Sequence, residues 1–554
     1  MFGFRKFQFI LFINCLILLP IIYLLRNYKS ESNFPQDTTT HVTQQHKLYR
    51  CKIPPHPLTS TIKISETISS YSCSIDYNDK IKIIANHSTF NSTSQQLTIL
   101  CPLNASLDIV LSPDYITHRS TGSQTSVSLL INRLPDKQIV NKRQKLLNEQ
   151  LLLLRKTDKI QLSIVDDELF TVTCNNQEQL FIQTIFKPEV ANRSIQKQNR
   201  TKRNLPPVLV IEFDGVSRTH FHRKMINTMD YLQHKLSVMN YTIVDFEKYH
   251  ALDRNSDGNI RSMFCASGKY GWGKSNNKDK KANLPCGVDD FIFNVFKSNG
   301  YSTSLITNMC VDYIGDYWGR TSEYHVDHES IIWSCHPEYD LNGQWSDVVG
   351  PYGVKRRCID GKYVHTYQID YVKDFVQKHD SNYLPYFSFI SFIEGHELSM
   401  QILGMVDNEL NLLIQYLTSS NLNQPPIILI VADHGLHYGP MWSDTTAGKM
   451  EARLPVLITI IPNQYLTESS KQILIQNRNF LVTPRDIYWT LYNIATNLVS
   501  EPITSTINDL RRQSLFDPLS TERDCVTEGI PQHMCACSLD GITINPALVG
   551  KNGK

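Results

Sequence analysis

The sequence predicts an α/β protein whose central sheet is mostly parallel. Nearly continuous apolar runs of strand length are typical of strands buried on both faces. Four segments have this character: Val208–Phe213, Tyr386–Phe392, Ile427–Ala432 and Leu454–Ile460. Helix-compatible segments lie between them, for example residues 370–379 and 400–418. Because strands that alternate with helices build parallel sheets, we expect residues 205–500 to form one α/β domain.

The N-terminus predicts a membrane anchor. Residues 7–25 are apolar with few exceptions, and basic residues flank them on both sides. At a rise of about 1.5 Å per residue such a helix nearly crosses a hydrocarbon core of about 30 Å. A cleaved signal peptide is the alternative, but the stretch ends in Ile21–Arg26 without a small-x-small cleavage site. We therefore expect a cytosolic tail over residues 1–6, a signal anchor over 7–25 and a polar stalk over 26–50.

Two further regions flank the α/β domain. Residues 51–200 contain short strand-like runs such as Leu107–Leu111 and Val127–Ile131, and a leucine-rich, helix-compatible stretch over 142–156. This pattern predicts a β-rich accessory domain. We expect the basic segment Asn199–Asn204 to be a hinge, and residues 501–554 to form a cysteine-containing tail.

The cysteines indicate an oxidising compartment. Thirteen are present, and Cys15 lies within the predicted anchor, which leaves twelve beyond it. An even number in a secretory context is typical of disulfides, although the spacing leaves their pairing open. Cys535 and Cys537 could instead form half of a metal site, but no second Cys/His pair lies nearby.

Six N-glycosylation sequons predict that the chain beyond the anchor faces the lumen or the outside of the cell. They begin at Asn86, Asn91, Asn104, Asn192, Asn199 and Asn240. We therefore expect a single-pass type II membrane protein of the Golgi and secretory pathway or of the cell surface. The formal net charge of +2 gives no electrostatic reason to expect nucleic acid as a partner.

Ionisable residues follow three of the predicted strands. Asp214 follows the first, Glu394–Glu397 the second, and Asp433-His434-Gly435 the third. Folds of this class bind ligands beyond the carboxyl ends of their strands. A strand-end aspartate is often only a helix cap, but adjacent carboxylate and imidazole groups suit a divalent metal such as zinc. The pattern predicts a metal site at this edge of the sheet.

Several ordered motifs resemble a known superfamily. Asp214 after the first strand and Val431-Ala-Asp-His-Gly435 late in the domain are similar to the alkaline phosphatase superfamily, which includes sulfatases and nucleotide pyrophosphatases. More closely, the chain resembles the membrane-anchored DUF229 family in Phe213–Arg218, Asp433–Gly439, Gly448–Pro455 and the Cys525–Cys537 tail. The resemblance implies a three-layer α/β/α sandwich and a divalent metal, with zinc expected.

The resemblance also implies a nucleophile. Relatives carry a metal-bound Ser or Thr some 40 positions after the first Asp, and Asn255–Asn259 is the matching loop. Ser256 matches the nucleophile, and Asn259 matches an Asn that could contact metal or substrate. From local sequence Ser256 could also be an ordinary turn residue, and Ser217 is a competitor that we expect to be structural. Formylglycine chemistry is disfavoured, because Cys265 is followed by Ala-Ser-Gly-Lys instead of the sulfatase pattern.

The metal ligands follow from the same comparison. Asp214, Asp433 and His434 match metal ligands, and His396 matches a histidine that binds either metal or substrate phosphate. Glu397 is a possible companion. The second histidine-rich site of nucleotide pyrophosphatases is incomplete here, so either His437 completes it or the protein holds a single metal. Two arginines, Arg218 and Arg261, could contact a phosphate or could simply be solvated.

Together these features predict a membrane-anchored, metal-dependent hydrolase or phosphotransferase. Its expected substrate is a phosphate ester of a glycan, a lipid or a nucleotide. The alternatives are a sulfatase-like enzyme without formylglycine, and an inactive ectodomain that binds a glycan or a protein.

Overall fold

A computed structural model describes most of the chain from residue 51 to residue 537. The described ranges are 51–53, 84–85, 96–116, 134–164, 166–201, 205–265, 287–312, 314, 326–339, 357–398, 400–496 and 513–537. The predicted tail, anchor and stalk and the sequons at Asn86 and Asn91 lie outside these ranges and stay predictions. Within the described ranges, no helix is both long and apolar enough to cross a bilayer.

Fifteen strands and twelve α-helices lie in the described ranges. The strands are β1 Ile84–Ala85, β2 Gln96–Leu100, β3 Leu107–Leu111, β4 Lys159–Ser163, β5 Leu169–Cys174, β6 Gln177–Ile182, β7 Val208–Phe213, β8 Tyr241–Asp245, β9 Ser302–Thr307, β10 His328–Ser330, β11 Cys358–Ile359, β12 Lys362–Tyr363, β13 Tyr386–Phe392, β14 Ile427–Ala432 and β15 Leu457–Pro462. The helices are α1 Lys137–Leu154, α2 Pro188–Thr201, α3 Arg218–Lys224, α4 Ile226–Asp230, α5 Ser256–Cys265, α6 Ile292–Ser298, α7 Val364–Asp380, α8 Asp407–Leu417, α9 Gly439–Asp444, α10 Thr446–Glu451, α11 Glu468–Asn477 and α12 Pro484–Thr496.

Seven strands form one central sheet in the order β10-β9-β13-β7-β14-β15-β8. The pairings from β10 to β14 are all parallel, and β15 runs antiparallel to both of its neighbours. Phe213 at the end of β7 is in register with Phe392 of β13 and with Ala432 of β14. The three central strands therefore end at the same level, and the residues that follow them meet.

Helices cover both faces of this sheet. Alternate residues of a strand point to opposite faces, so Val208 and Val210 of β7 contribute to one core and Leu209 and Ile211 to the other. Helices α5, α6 and α12 supply the first core, and α4, α7 and α8 supply the second. This three-layer α/β/α arrangement confirms the predicted fold class. It also explains why the strands are apolar throughout, since both of their faces are buried.

Three of the four predicted strands have the observed limits, and the fourth differs at both ends, since it was predicted to end at Ile460 and ends at Pro462. Residues 208–213, 386–392 and 427–432 are strands with the predicted limits. The prediction of a strand from Leu454 was wrong at its start, because Pro455 forms an isolated bridge with Ser217 and β15 begins only at Leu457.

The N-terminal part of the described chain is rich in short antiparallel strands. Two three-stranded sheets, β1-β2-β4 and β3-β5-β6, share a buried core with α1. The predicted strand Leu107–Leu111 and the predicted helix over 142–156 are both present, the latter as α1, whereas Val127–Ile131 lies outside the described residues. The hinge prediction was wrong for Asn199–Thr201, since α2 continues to Thr201. The domain limits themselves stay a prediction.

Disulfides hold several of these segments together, as the cysteine count predicts. The described pairs are Cys51–Cys537, Cys101–Cys174, Cys310–Cys335 and Cys525–Cys535, and Cys265 and Cys358 are also disulfide-bonded. Cys535 and Cys537 are therefore not metal ligands in this oxidised form. The four sequon asparagines within the described ranges, at positions 104, 192, 199 and 240, are all exposed.

Candidate metal centre and nucleophile

The ionisable residues that the sequence singles out follow the ends of three neighbouring strands. Asp214 follows β7, His396 lies four residues beyond β13, and Asp433 and His434 follow β14. Because β13, β7 and β14 are adjacent and end in register, these side chains converge at the carboxyl edge of the sheet. The fold itself creates the site.

Asp214, Asp433 and His434 form a compact buried cluster. One ligand atom from each lies within 4.8 Å of the other two. His434 Nε2 is 3.3 Å from Asp433 Oδ2 and 3.7 Å from Asp214 Oδ1. Asp433 and His434 are fully buried and Asp214 is 5% exposed, yet neither Asp214 Oδ1 nor Asp433 Oδ2 has a hydrogen-bond partner among the residues that the structure describes. Buried carboxylate oxygens without partners are costly unless a cation compensates them.

The spacing fits a zinc ion. Zn²⁺ bonds His nitrogen and carboxylate oxygen at about 2.0–2.2 Å, and tetrahedral geometry then separates the ligand atoms by roughly 3.3–3.6 Å. The two distances from His434 Nε2 to the carboxylates are in or near this range. Ser256 Oγ is 3.4 Å from the same nitrogen. The three distances measured from His434 Nε2 are therefore close to those of a tetrahedral donor set.

Backbone contacts hold two of these side chains in a metal-binding orientation. Asp433 Oδ1 accepts hydrogen bonds from the backbone N–H of Gly215 and His434, so only Oδ2 is directed to the cluster. His434 Nδ1 is 3.0 Å from the carbonyl of Gly435, which favours the tautomer with the proton on Nδ1. Nε2 then keeps its lone pair for a metal, as outer contacts of this kind commonly ensure.

Gly435 is required by a close approach of two backbone segments. A Cβ at this position would lie 2.1 Å from the carbonyl oxygen of Glu451. The glycine thus allows the chain after His434 to turn against the end of α10.

The cluster is strongly acidic. Burial, reinforced by the charge of Asp433, raises the pKa of Asp214 well above its usual range. Glu212 lies two residues earlier, in β7, and is also buried. Burial and the charges of Asp433 and Asp214 raise its pKa. Neighbouring carboxyl groups disfavour each other's ionised form, so a divalent cation would stabilise this edge of the sheet.

Ser256 is the first residue of α5 and is half-buried. A hydroxyl at a helix N-terminus lies beside backbone N–H groups that favour an anion. Asn259 is placed differently from the sequence expectation. Its side chain bonds the backbone of Leu252, Asp253 and Asn255, so all of its amide atoms shape the loop before Ser256 and none faces the cluster.

Two further histidines lie next to the cluster. The ring of His437 is 4.4 Å from that of His434, and the ring of His396 is 5.5 Å from that of His437. His396 Nε2 is 3.9 Å from Asp214 Oδ1, and His437 Nδ1 is buried without a hydrogen-bond partner. Burial, together with neighbouring histidines, lowers the pKa of His396 to about 3 and that of His437 to about 2. Both rings are therefore neutral at physiological pH, the form in which histidine binds metals.

Tyr438 belongs to the site although the sequence did not point to it. Its hydroxyl is 3.2 Å from His396 Nδ1, and burial with the charge of Asp214 raises its pKa. The phenol thereby orients the His396 ring. A tyrosine in a loop carries no local signal of such a role.

Glu397 does not join the metal cluster in this structure. Its Oε1 accepts hydrogen bonds from the backbone N–H of Gln401 and Ile402, which places that oxygen at the start of the following turn. Glu394 is also turned away, since both of its oxygens accept from Asn308 Nδ2. Asn308 Oδ1 in turn accepts from Ile393, so this pair fastens the loop that carries His396.

Ser217 and the two arginines that the sequence offered have structural partners. Ser217 Oγ donates to Glu451 and accepts from the backbone of His220, so it caps α3 as expected. Arg218 forms a bidentate ion pair with Asp245, and Arg261 pairs with Asp257 at 2.7 Å. The phosphate role considered for these two arginines is therefore not supported. Cys265 is disulfide-bonded, which removes it as a formylglycine precursor.

The fold and the buried cluster define a class: a three-layer α/β/α protein with a candidate metal centre at the carboxyl edge of its sheet. The family profile with the description "Protein of unknown function (DUF229)" matches residues 33–309 and 345–549. The chain belongs to this family. No curated protein matches the sequence.

Solved structures show an overall similarity at low identity. The C-terminal periplasmic domain of EcEptC from Escherichia coli, in complex with Zn, is 10% identical over 58% of this chain and 90% of that one, with a TM-score of 0.38. The lipoteichoic acid synthase LtaP from Listeria monocytogenes is 12% identical over 56% and 74%, with a TM-score of 0.36. The PsFucS1 sulfatase from Pseudoalteromonas sp. is 13% identical over 61% and 78%, with a TM-score of 0.35.

Proposed function

We propose that this protein is a metal-dependent phosphoester hydrolase or phosphotransferase that uses Ser256 as its nucleophile. One observation carries the proposal. The Ser256 hydroxyl and two unpartnered carboxylate oxygens all lie 3.3–3.7 Å from His434 Nε2, at the end of a buried sheet. A hydroxyl in a donor set of this kind can be activated as a nucleophile at neutral pH.

Asp214, Asp433 and His434 would hold the ion, with Ser256 as the fourth donor. The bound metal would stabilise the serine alkoxide and offset charge on the transferring group. Ser256 Oγ loses its proton and attacks phosphorus, the bond between phosphorus and the ester oxygen breaks, the departing oxygen takes up a proton to give the alcohol, and a phosphoserine remains. Water or an acceptor alcohol then attacks the phosphoserine and regenerates the hydroxyl. Water gives hydrolysis, and an alcohol gives phosphoryl transfer.

His396 and His437 would act beside the first ion. Both rings are neutral, and Tyr438 orients the former. We assign them to a second, weaker metal position or to contacts with the substrate phosphate. We propose one strong metal site. Among the described residues of this edge, only Asp214, Asp433 and His434 form a close cluster of potential ligands.

We further propose that the protein is held by residues 7–25 on the lumenal or extracellular side of a membrane of the secretory pathway. The disulfides and the exposed sequon asparagines support an oxidising, glycosylating compartment. A glycan or lipid phosphoester would be the accessible substrate there.

The test uses the disulfide-bonded ectodomain from residue 49 onward, loaded with zinc. An aryl phosphate, a bis-aryl phosphate and an aryl sulfate are assayed in parallel, with Ser256→Ala and a matched exposed control, Ser443→Ala. We expect phosphoester cleavage that Ser256→Ala lowers by at least about 10³-fold in kcat while zinc content stays the same, and that Ser443→Ala leaves unchanged.

Each other outcome points elsewhere. Cleavage of the sulfate ester alone would favour the sulfatase-like alternative. Ester cleavage that survives Ser256→Ala would refute the nucleophile. No stoichiometric zinc, with equal stability of wild type and Asp433→Ala, would favour an inactive binding module.

A further inference from the structure

Arg254 lies at the outer end of the candidate site, two residues before Ser256. Its guanidinium donates to the backbone carbonyl of His437 at 3.1 Å. Its Cζ is also 4.3 Å from the centroid of the Trp442 ring. The carbonyl and the ring together hold an arginine that is otherwise exposed to solvent.

Arg254 differs from three other arginines near the site, which each have an acidic partner. Arg218 pairs with Asp245, Arg223 with Glu451, and Arg261 with Asp257. In the part of the chain that the structure describes, no carboxylate lies within ion-pair distance of Arg254. A carbonyl and a ring face use little of a guanidinium's donor capacity, since it carries five N–H donors in a planar fork. The remaining donors suit a carboxylate, phosphate or sulfate.

Burial decreases steadily from the metal cluster to Arg254. Asp433 and His434 are fully buried, Ser256 is half-buried and Arg254 is exposed. The guanidinium therefore lies further out than the hydroxyl that would attack phosphorus. A group bound by Arg254 would belong to the part of the substrate that extends towards solvent, beyond the reacting centre.

We propose that Arg254, braced by Trp442, is a specificity-determining residue that binds a second anionic group of the substrate. This inference rests on the proposed function. It narrows the substrate class to phosphoesters that carry another negative charge on the side away from the metal, such as an acidic glycan or an anionic lipid headgroup. The phosphoryl group itself would be bound by the metal cluster and by the N-terminus of α5.

The test compares two kinds of inhibitor that share one metal-binding group. Phenylphosphonate carries only that group, whereas 3- and 4-carboxyphenylphosphonate add a carboxylate at two positions. Their inhibition constants are measured on the zinc-loaded ectodomain for wild type, Arg254→Ala, Arg254→Lys and Trp442→Leu. The matched control is Arg478→Ala, which removes an exposed arginine that pairs with Glu247 away from the site.

We expect wild type to bind at least one carboxylated compound about tenfold more tightly than phenylphosphonate, as a charge-assisted contact in a partly exposed position would give. Arg254→Ala should remove this preference without changing phenylphosphonate inhibition or zinc content. Arg254→Lys should keep part of it, Trp442→Leu should weaken it, and Arg478→Ala should leave it intact.

Three results would overturn the inference. Arg254→Ala could weaken inhibition by phenylphosphonate and by the carboxylated compounds equally, which would mean that Arg254 binds the phosphonate group itself. Wild type could show no preference for either carboxylated compound. Zinc content could fall in Arg254→Ala, which would make the arginine a support for the His437 loop. If wild type binds neither zinc nor phenylphosphonate, the proposed function itself fails, and this outcome is distinct from the other three.

Discussion

Asp433→Asn should stabilise the metal-free protein and reduce the stabilisation that zinc provides. Asn Oδ1 can still accept from the backbone N–H of Gly215 and His434, so the local fold is kept. The substitution removes the negative charge from a group within 4.8 Å of Asp214 in the buried cluster. Two like charges 4.8 Å apart repel by roughly 3.5 kcal/mol at an effective dielectric constant of about 20. Without metal, Asp433→Asn should therefore unfold with a free energy about 1–3 kcal/mol higher than wild type.

With zinc most or all of this benefit is offset. At a free zinc concentration of about 100 times Kd, wild type gains about 2.7 kcal/mol of stability. Loss of one carboxylate ligand should weaken binding by at least about 100-fold, so the same zinc concentration would stabilise Asp433→Asn by only about 0.4 kcal/mol. Denaturant unfolding in EDTA and in buffered zinc measures both quantities. Equal stabilisation of the two proteins by zinc, or a metal-free Asp433→Asn less stable than metal-free wild type, would refute the reasoning.

Two further predictions concern residues that support the site. Gly435→Ala should destabilise the fold by about 3 kcal/mol, because its Cβ would meet the Glu451 carbonyl at 2.1 Å. The control Gly404→Ala, whose Cβ would have its nearest atom at 3.6 Å, should change stability by less than about 1 kcal/mol. Equal melting temperatures for the two variants would contradict this prediction. Burial raises the pKa of Asp245, but hydrogen bonds from His222 and Arg218 outweigh it and lower the pKa to about 2. The folded-state pKa is depressed, so this group contributes about 2 kcal/mol above pH 4 that is lost as the pH falls towards 2. Asp245→Asn should therefore unfold more easily than wild type at pH 7, and the difference should shrink between pH 4 and 2; a difference that stays constant over this window would count against the ion-pair account.

Much of the fold could be predicted from the sequence because the central strands are buried on both faces. Burial on both sides makes β7, β13 and β14 nearly continuous apolar runs, and such runs are visible without any structure. The same pattern places the residues after these strands at one edge, so Asp214, Asp433 and His434 could be expected to meet. Their roles as ligands stay a prediction.

Other elements gave no such signal. Strand β9 has the sequence Ser-Thr-Ser-Leu-Ile-Thr, yet it is fully buried between β10 and β13. Two of its hydroxyl groups find partners that are distant in the chain: Ser302 bonds His379, and Thr303 bonds Asp327. Hydroxyl groups satisfied by tertiary contacts cannot be recognised from local hydrophobicity.

Residue type alone also gave wrong expectations for the contacts of several side chains near the site. Asn259 matched a family motif, but its amide is used by the backbone of its own loop. Arg218 and Arg261 were candidates for an anion because of their charge, whereas only the fold shows which arginines have acidic partners. Arg254, which the sequence did not single out, is the one near Ser256 for which the described chain supplies none.

The most direct test of the central claim is a crystal structure of the zinc-soaked ectodomain with anomalous diffraction measured at the zinc edge. The account predicts an anomalous peak about 2.0–2.2 Å from Asp214 Oδ1, Asp433 Oδ2 and His434 Nε2, with Ser256 Oγ as the fourth neighbour. An absent peak, or a peak bound by other residues while this cluster remains without an ion, would contradict the account.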